Sequence, residues 1–294
     1  MSNASGAAHA VRIGTRGLSL RIRLRSLAPS TTALAALAGL LVLLAALASV
    51  LATHDPDTVD MAAASQDPSA AHWLGTDALG RDLYSRLLYG ARISLLGPAL
   101  VIAGATVGGV AVALACAWHG GWLDRVISRV NDVLFAFPGL LLAVLAVAVL
   151  GPGLTAPVVA LAVAYLPYMA RIVRGVAVRE RRMPYIAALE ASGMSAWRIN
   201  LRHLLPNLTP FIVAQATAAF GSALIDLAGV SFLGLGVQPP ISDWGLMVSE
   251  GQSSLLAGAP GQSLMAGGLI VVTVVVFNLL GDTLIARTDQ EDAR

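Results

Sequence analysis

Tyr185–Asn207, YIAALEASGMSAWRINLRHLLPN, is the stretch on which the reading of this chain turns. It is too polar to cross a bilayer and too apolar for a plain soluble loop. Tyr185, Ala188, Leu189, Ser192, Ala196 and Ile199 recur at helical spacing and predict one face. Pro184 suits the first turn of a helix. Gly193 permits a sharp turn between two short helices, and Pro206 is expected to close the segment before the next crossing. Arg198, Arg202 and His203 add basic and polar groups around the apolar residues. Such a segment lies on a membrane and can present a knuckle to a groove in a soluble partner.

Apolar runs at 155–173 and 209–230 flank it, and further runs fall at 33–52, 93–117, 132–150 and 264–285. The chain is 56% hydrophobic and only 12% charged, with mean hydropathy +0.75. Soluble domains carry about 25% charged residues. These features predict an all-α, polytopic membrane protein with six transmembrane helices. Gly151-Pro152-Gly153 reads as the hairpin between the third and fourth. The first run follows Arg12, Arg16, Arg21, Arg23 and Arg25 and has some features of a secretory signal. Its 20 residues exceed the usual apolar core of about 7–15 residues, so an uncleaved anchor is expected.

Every basic residue is Arg. With the N-terminus inside, 16 Arg fall inside and only Arg81, Arg86 and Arg92 fall outside, so both termini are expected in the cytoplasm. The expected organisation is a cytoplasmic segment at 1–30, a first transmembrane helix at 31–53 and an extracytoplasmic segment at 54–92. A five-helix domain follows at 93–285, with the basic knuckle at 184–206 and an outer segment at 231–263, and then a cytoplasmic tail at 286–294. Outer segments as long as 54–92 and 231–263 usually bind or cap something.

Several function classes are excluded or disfavoured. Without Lys there can be no G-x-x-x-x-G-K-[ST] phosphate loop. The chain is expected to bind no cofactor of its own, and no nucleic acid. The lone Cys116 lies in an apolar run and cannot form an internal disulfide. There is no G-x-S-x-G and no H-E-x-x-H, which argues against an intramembrane enzyme. No His or Cys cluster falls inside the apolar runs, so no metal is expected. A stand-alone channel would line its pore with charge or carbonyls. Asp226 is the one plausible lining charge, and the knuckle would have no task. Asp226 itself admits two readings, a pathway or gate residue and an interhelical hydrogen bond. Gly104 and Gly108 predict close helix packing.

The 185–206 order resembles the coupling loop of ABC importer permeases, roughly E-A-A-x-x-x-G followed by H-x-L-P. Gly193 stands at the Gly, Ala188 at the middle Ala, and His203-Leu204-Leu205-Pro206 at the tail. Ala187 replaces the usual Glu and Leu189 the second Ala. Glu190, about one turn after Ala187, is the candidate substitute. The resemblance implies ATPase coupling through Tyr185, Ala188, Leu189, Glu190, Gly193, Arg198, His203 and Pro206.

Two further strings narrow the family. His72-Trp73-Leu74-Gly75-Thr76-Asp77-Ala78-Leu79-Gly80-Arg81-Asp82 precedes Ser85-Arg86-Leu87-Leu88-Tyr89-Gly90-Ala91-Arg92-Ile93-Ser94-Leu95, and Ser231-Phe232-Leu233-Gly234-Leu235-Gly236-Val237-Gln238-Pro239-Pro240 precedes Asp243-Trp244-Gly245. Both are similar to strings in the C-type permease subunits of dipeptide, oligopeptide and nickel importers. The tail from Thr283 to Asp289 departs from that family's ending.

The local chemistry of these strings predicts turns at Gly75 and Gly80 around Thr76 and Asp77. It also predicts an Asp82 pair with Arg81 or Arg86, and a surface-lying helix through Leu83, Tyr84, Leu87 and Leu88. Gly234 and Gly236 are expected to let the fifth helix unwind, with Pro239-Pro240 extended after it. The resemblance implies an outer gate or docking role for Gly75, Thr76, Asp77, Gly80, Arg81, Asp82, Gly234, Gly236, Gln238 and Pro239.

It also implies the type I ABC importer permease fold in the inner membrane of a prokaryote. The implied task is transport of di- or oligopeptides, with nickel or another small solute as the alternative. The implied partners are a B-type permease, two cytoplasmic ATPases carrying ATP and Mg, an extracytoplasmic binding protein and the lipid bilayer.

Overall fold

The computed structural model describes residues 30–292, with side chains described to Thr288. The Arg-rich start and Arg294 lie outside the described residues. Helix α1 (Thr31–Ala46) begins where the Ser30 side chain accepts the Ala33 N–H, and the short α2 (Ala48–Leu51) follows a break at Leu47. The break has a visible cause. Arg92 donates from Nε to the Ala45 carbonyl at 2.8 Å and from Nη2 to the Ala46 carbonyl at 3.0 Å and Ser49 Oγ at 3.1 Å. The 33–52 run is therefore helical in two pieces. The 16 residues of α1 fall short of the about 20 that a straight crossing needs.

Helix α3 (Leu83–His119) has 37 residues and starts well before position 93. Asp82 caps it by accepting the Ser85 N–H at 2.9 Å. Leu83, Tyr84, Leu87 and Leu88 form its first turns, not a separate surface helix, so the expected border at 92/93 falls inside one element. The third apolar run is also divided. Helices α4 (Gly121–Phe135) and α5 (Gly139–Leu150) meet at an 81° bend. Pro138 explains it: the ring lacks an N–H and disfavours helical backbone at Phe137.

Helix α6 (Thr155–Arg181) is followed by α7 (Pro184–Ala191) and α8 (Ala196–Ile199). A π turn (Asn200–Leu204) runs into α9 (Leu205–Phe232). Helices α10 (Trp244–Glu250) and α11 (Gln252–Leu256) lead to α12 (Gly261–Asp292). Helical structure covers all six apolar runs. Among the described residues four continuous segments, 83–119, 155–181, 196–232 and 261–288, are each long and apolar enough to cross a membrane, and the bent pair makes a fifth if its two helices form one span.

Lipid is as apolar as Leu, so such helices associate through close packing of small residues. On α3, a Cβ at Gly104 would lie 3.2 Å from Ala162 Cβ, and one at Gly109 only 2.7 Å from Met169 Cβ. The expected close packing around Gly104 and Gly108 is thus the α3–α6 contact. Helices α9 and α12 pack through stacked Phe220 and Phe277, with centroids 4.1 Å apart. Among the described residues three buried clusters result. One, around Leu83, Leu87, Trp244 and Met247, lies under the segments at 54–82 and 233–260. A second lies mid-bundle around Val101, Leu161, Met169 and Ala223. The third, around Leu114, Val173, Leu204 and Leu208, supports the 185–207 end.

Candidate functional site

The 185–207 segment folds as two short helices hinged at Gly193, whose φ is +80°. Pro184 occupies the first turn of α7, as expected. Pro206 does not close the segment. It sits in the first turn of α9, within a helix continuous from 196 to 232. The preceding π turn absorbs it: Leu205 N–H reaches back to the Asn200 carbonyl, a wider step than an α-helix makes. The predicted single face is split as well. Ile186 and Ile199 turn inward and are buried, while Ala187, Ala188, Ala191 and Ser192 are exposed. Arg198 and Arg202, in α8 and the π turn, are exposed, and Leu189 and His203 are half-buried.

A polar clasp binds the two stems of the knuckle. The Tyr185 hydroxyl donates to Glu180 Oε1 at 2.9 Å, and Asn207 Nδ2 donates to the same Glu180 oxygen at 3.3 Å and to Tyr185 Oη at 3.1 Å. Burial, and then the bond to Glu180, pushes the Tyr185 hydroxyl above its ordinary pKa, so it remains a donor at neutral pH. Glu190 accepts from Arg181 Nη2 at 3.2 Å, and the Arg181 guanidinium lies 4.3 Å over the Trp118 ring. Glu180 and Asn207 escaped sequence reading because they lie 27 residues apart; only the fold makes them neighbours.

At the opposite end of the bundle, the two long segments form a collar. Thr76, Asp77, Arg81, Asp82 and Arg86 are all buried. Asp77 accepts from the Leu79 and Arg81 N–H groups and from Arg81 Nε, the last at 2.6 Å. Arg81 and Arg86 both reach Glu250 Oε2, at 3.1 and 2.8 Å, and so join residues 76–86 to the end of α10. The expected pairing of Asp82 with either Arg is replaced by its role as helix cap. Asp82 binds Ser85 through Oδ2, and its Oδ1 lies 2.9 Å from His72 Nδ1. Burial works to raise the Asp82 carboxyl, but the bonds from Ser85 and His72 and the nearby His54 hold it below the usual carboxylate value.

Gly75 and Gly80 take the positive φ values the turns require. Ser94 Oγ donates to Asp243 at 2.6 Å, and Trp244 Nε1 donates to the Leu87 carbonyl at 2.9 Å. Helix α9 does not unwind at the glycines. It ends abruptly: Leu235 N–H bonds the Val230 carbonyl and Gly234 N–H bonds the Ser231 carbonyl, with Gly234 left-handed. A Cβ at Gly236 would strike Ser231 Oγ. Gln238 Nε2 satisfies the Gly234 and Gly236 carbonyls, both at 3.0 Å. Pro239 and Pro240 lie in a turn rather than an extended exit, and the bond between them is cis.

Between the two ends, a cleft of about 440 Å³ is lined by Phe135, Phe137, Pro138, Tyr165, Tyr168, Ser222 and Asp226, among others. Asp226 accepts from the Tyr165 hydroxyl at 2.9 Å. Asp226 is thus hydrogen-bonded between helices and also lines this cleft. The broken backbone at 136–138 forms one wall. Within a bilayer, irregular backbone is tolerated where it is buried in protein or lines a cavity.

Residues 105–290 match the family described as the binding-protein-dependent transport system inner membrane component. The chain is 41% identical over 246 residues to the glutathione transport system permease protein GsiD of Pectobacterium atrosepticum, a match covering 83% of this chain and 81% of that protein. It is 41% identical over 219 residues to the dipeptide transport system permease protein DppC of Alkalihalophilus pseudofirmus, covering 74% and 72%. Among solved structures, an inward-facing form of the MetNI methionine ABC transporter matches with TM-score 0.55 and 22% identity, over 69% of this chain and 96% of that one. At that identity the likeness concerns the fold alone.

Proposed function

The chain belongs to the binding-protein-dependent transport system inner membrane components and has the fold of a type I ABC importer permease, and from this we propose that it forms half of a peptide pathway driven by ATPases on its 185–207 side. Its substrates are di- and tripeptide-sized solutes, the class that the names of both relatives suggest. A second, B-type permease supplies the other half, and an extracytoplasmic binding protein delivers solute to the collar. ATP and Mg sit on two partner ATPases, and this chain binds none. Both termini and the knuckle lie in the cytoplasm, with 54–82 and 233–260 outside, in keeping with the distribution of Arg.

One observation supports this most: the exposed small-residue face of α7 sits on a clasp that ties α6 to α9. Driving a gate from 1:99 to 99:1 takes about 5.5 kcal/mol of differential binding. A knuckle transmits that only if it cannot flex independently of the crossings. The Glu180–Tyr185–Asn207 bonds and the buried Ile186 and Ile199 provide the stiffness. Glu190, held by Arg181, supplies the acidic group that Ala187 lacks.

Uptake of labelled dipeptide, glutathione and Ni²⁺ in cells lacking this chain tests the reading. Restoring the chain is expected to restore peptide or glutathione uptake, and restoration of Ni²⁺ uptake alone would overturn the substrate class. Asp226→Asn is expected to lower uptake about tenfold, the roughly 1.4 kcal/mol of one contact to a charged group, at unchanged protein level. Parallel loss of protein and uptake would make Asp226 a packing residue.

A further inference from the structure

His54, His72 and Asp82 meet on the collar, and nothing in peptide transport requires that they should. Each offers one ligand atom, and these atoms lie within 4.8 Å of one another. His72 Nδ1 is 2.9 Å and His54 Nδ1 3.9 Å from the same Asp82 oxygen, Oδ1, and the two imidazole rings are 4.7 Å apart, tilted rather than stacked. The other carboxylate oxygen is occupied: Oδ2 accepts from Ser85 N and Oγ at 2.9 and 2.7 Å, and more distantly from Thr53 Oγ1 at 3.5 Å. The carboxylate is thus fixed on one side by the helix cap, while its other oxygen faces two histidines.

We propose that His54, His72 and Asp82 form a binding site for a borderline first-row divalent cation, with Zn²⁺ as the representative ion. Two imidazoles and a carboxylate oxygen suit such an ion, whereas Mg²⁺ and Ca²⁺ take oxygen ligands. Ligand atoms about 2 Å from Zn²⁺ in a tetrahedron lie a little over 3 Å from one another. The His72–Asp82 separation is already near that value, and His54 closes the remaining distance. Its side chain is 42% exposed, against 1% for Asp82, so it is the ligand with room to move, giving up the 3.1 Å contact of its Nδ1 with Thr53 Oγ1. Three protein ligands leave a fourth position open to water.

The three ligands come from different parts of the collar. His54 follows α2 directly, His72 lies in the segment before the cap, and Asp82 begins α3. A bound ion would therefore tie the end of the first apolar run to the start of α3. It would act as a clamp on the collar, separate from the Arg81–Arg86–Glu250 bridge and independent of which solute the pathway carries.

Zn²⁺ binding to the full chain, purified with its partner subunits and stripped with chelator, tests the site. Wild type is expected to hold about one Zn²⁺ per chain more than His54→Ala does, in the presence of millimolar Mg²⁺. Affinity in His54→Ala and His72→Ala should each fall by at least about tenfold, the lower end of what even an outer-shell change costs a metal site. Co²⁺ in place of Zn²⁺ should give a visible absorption band that His54→Ala abolishes. His54 is exposed, so its loss leaves the helix cap and the fold intact. Equal Zn²⁺ content in wild type and both variants, or no Co²⁺ band in wild type, would overturn the site whether or not peptide uptake is normal.

Discussion

Arg86→Ala is expected to loosen the collar by about 3–5 kcal/mol, the cost of removing one partner from a buried ion pair. Arg86 is fully buried, and it lies 2.8 Å from Glu250 and 3.7 Å from Asp77. Removing it leaves Glu250, only 20% exposed, with Arg81 as its one remaining partner among the described residues, and it removes the strut between residues 76–86 and α10. Hydrogen exchange at the amides of 76–86 and 243–250 is the direct measurement. Opening there should rise by a factor of about one hundred or more, at 1.4 kcal/mol per decade, while the amides of α6 stay protected. A double change separates charge from packing. Removing both partners of a buried pair is often close to neutral, so Arg86→Met with Glu250→Gln should be milder than Arg86→Ala alone. If the double variant exchanges as fast as the single one, although Met restores most of the lost volume, the polar bridge to Glu250 and not the packing of Arg86 holds the collar.

The parts of this arrangement that sequence could reveal are those written in short-range pattern. The six apolar runs, the Pro184 start, the Gly193 hinge and the glycine contacts of α3 each depend on neighbours or on a fixed helical spacing. Their failures were local too. Pro138 breaks the third run, because a window of apolar residues does not register one missing N–H. Pro206 has the local signature of a stop, yet a π turn carries the helix through it. Leu83–Leu88 has the pattern of a surface helix because nothing in its composition marks where the bilayer begins. The partners of the collar motif were hidden for another reason. Asp77, Arg81 and Arg86 stand together in sequence, but the carboxylate that completes them, Glu250, is 164 residues from Arg86. His54 gave no signal, since a single His after an apolar run has no spacing to report. Long-range polar closure of this kind is visible only once the fold has fixed which loops share an end of the bundle.

Gly193→Pro is expected to cut uptake by about one hundredfold or more while the protein inserts normally and the ATPases still hydrolyse ATP. The argument rests on backbone and not on room. A Cβ at Gly193 would meet no atom within 4 Å, so side-chain volume is harmless inside this chain. The φ of +80° is what matters. Proline is locked near −65° and costs about 3 kcal/mol or more where that angle does not fit. It would also remove the N–H that bonds the Glu190 carbonyl at 3.0 Å. The turn between α7 and α8 would reopen, and the small-residue face would no longer keep a fixed angle to α9. A graded series makes the claim specific. Asn tolerates the left-handed region better than other side chains, and Ala pays about 1–2 kcal/mol there. Uptake should therefore fall in the order Asn, Ala, Pro, although Asn is larger than Ala. If Ala and Asn damage uptake in order of size instead, Gly193 touches the ATPase directly. If Pro leaves uptake normal, the knuckle does not carry the stroke.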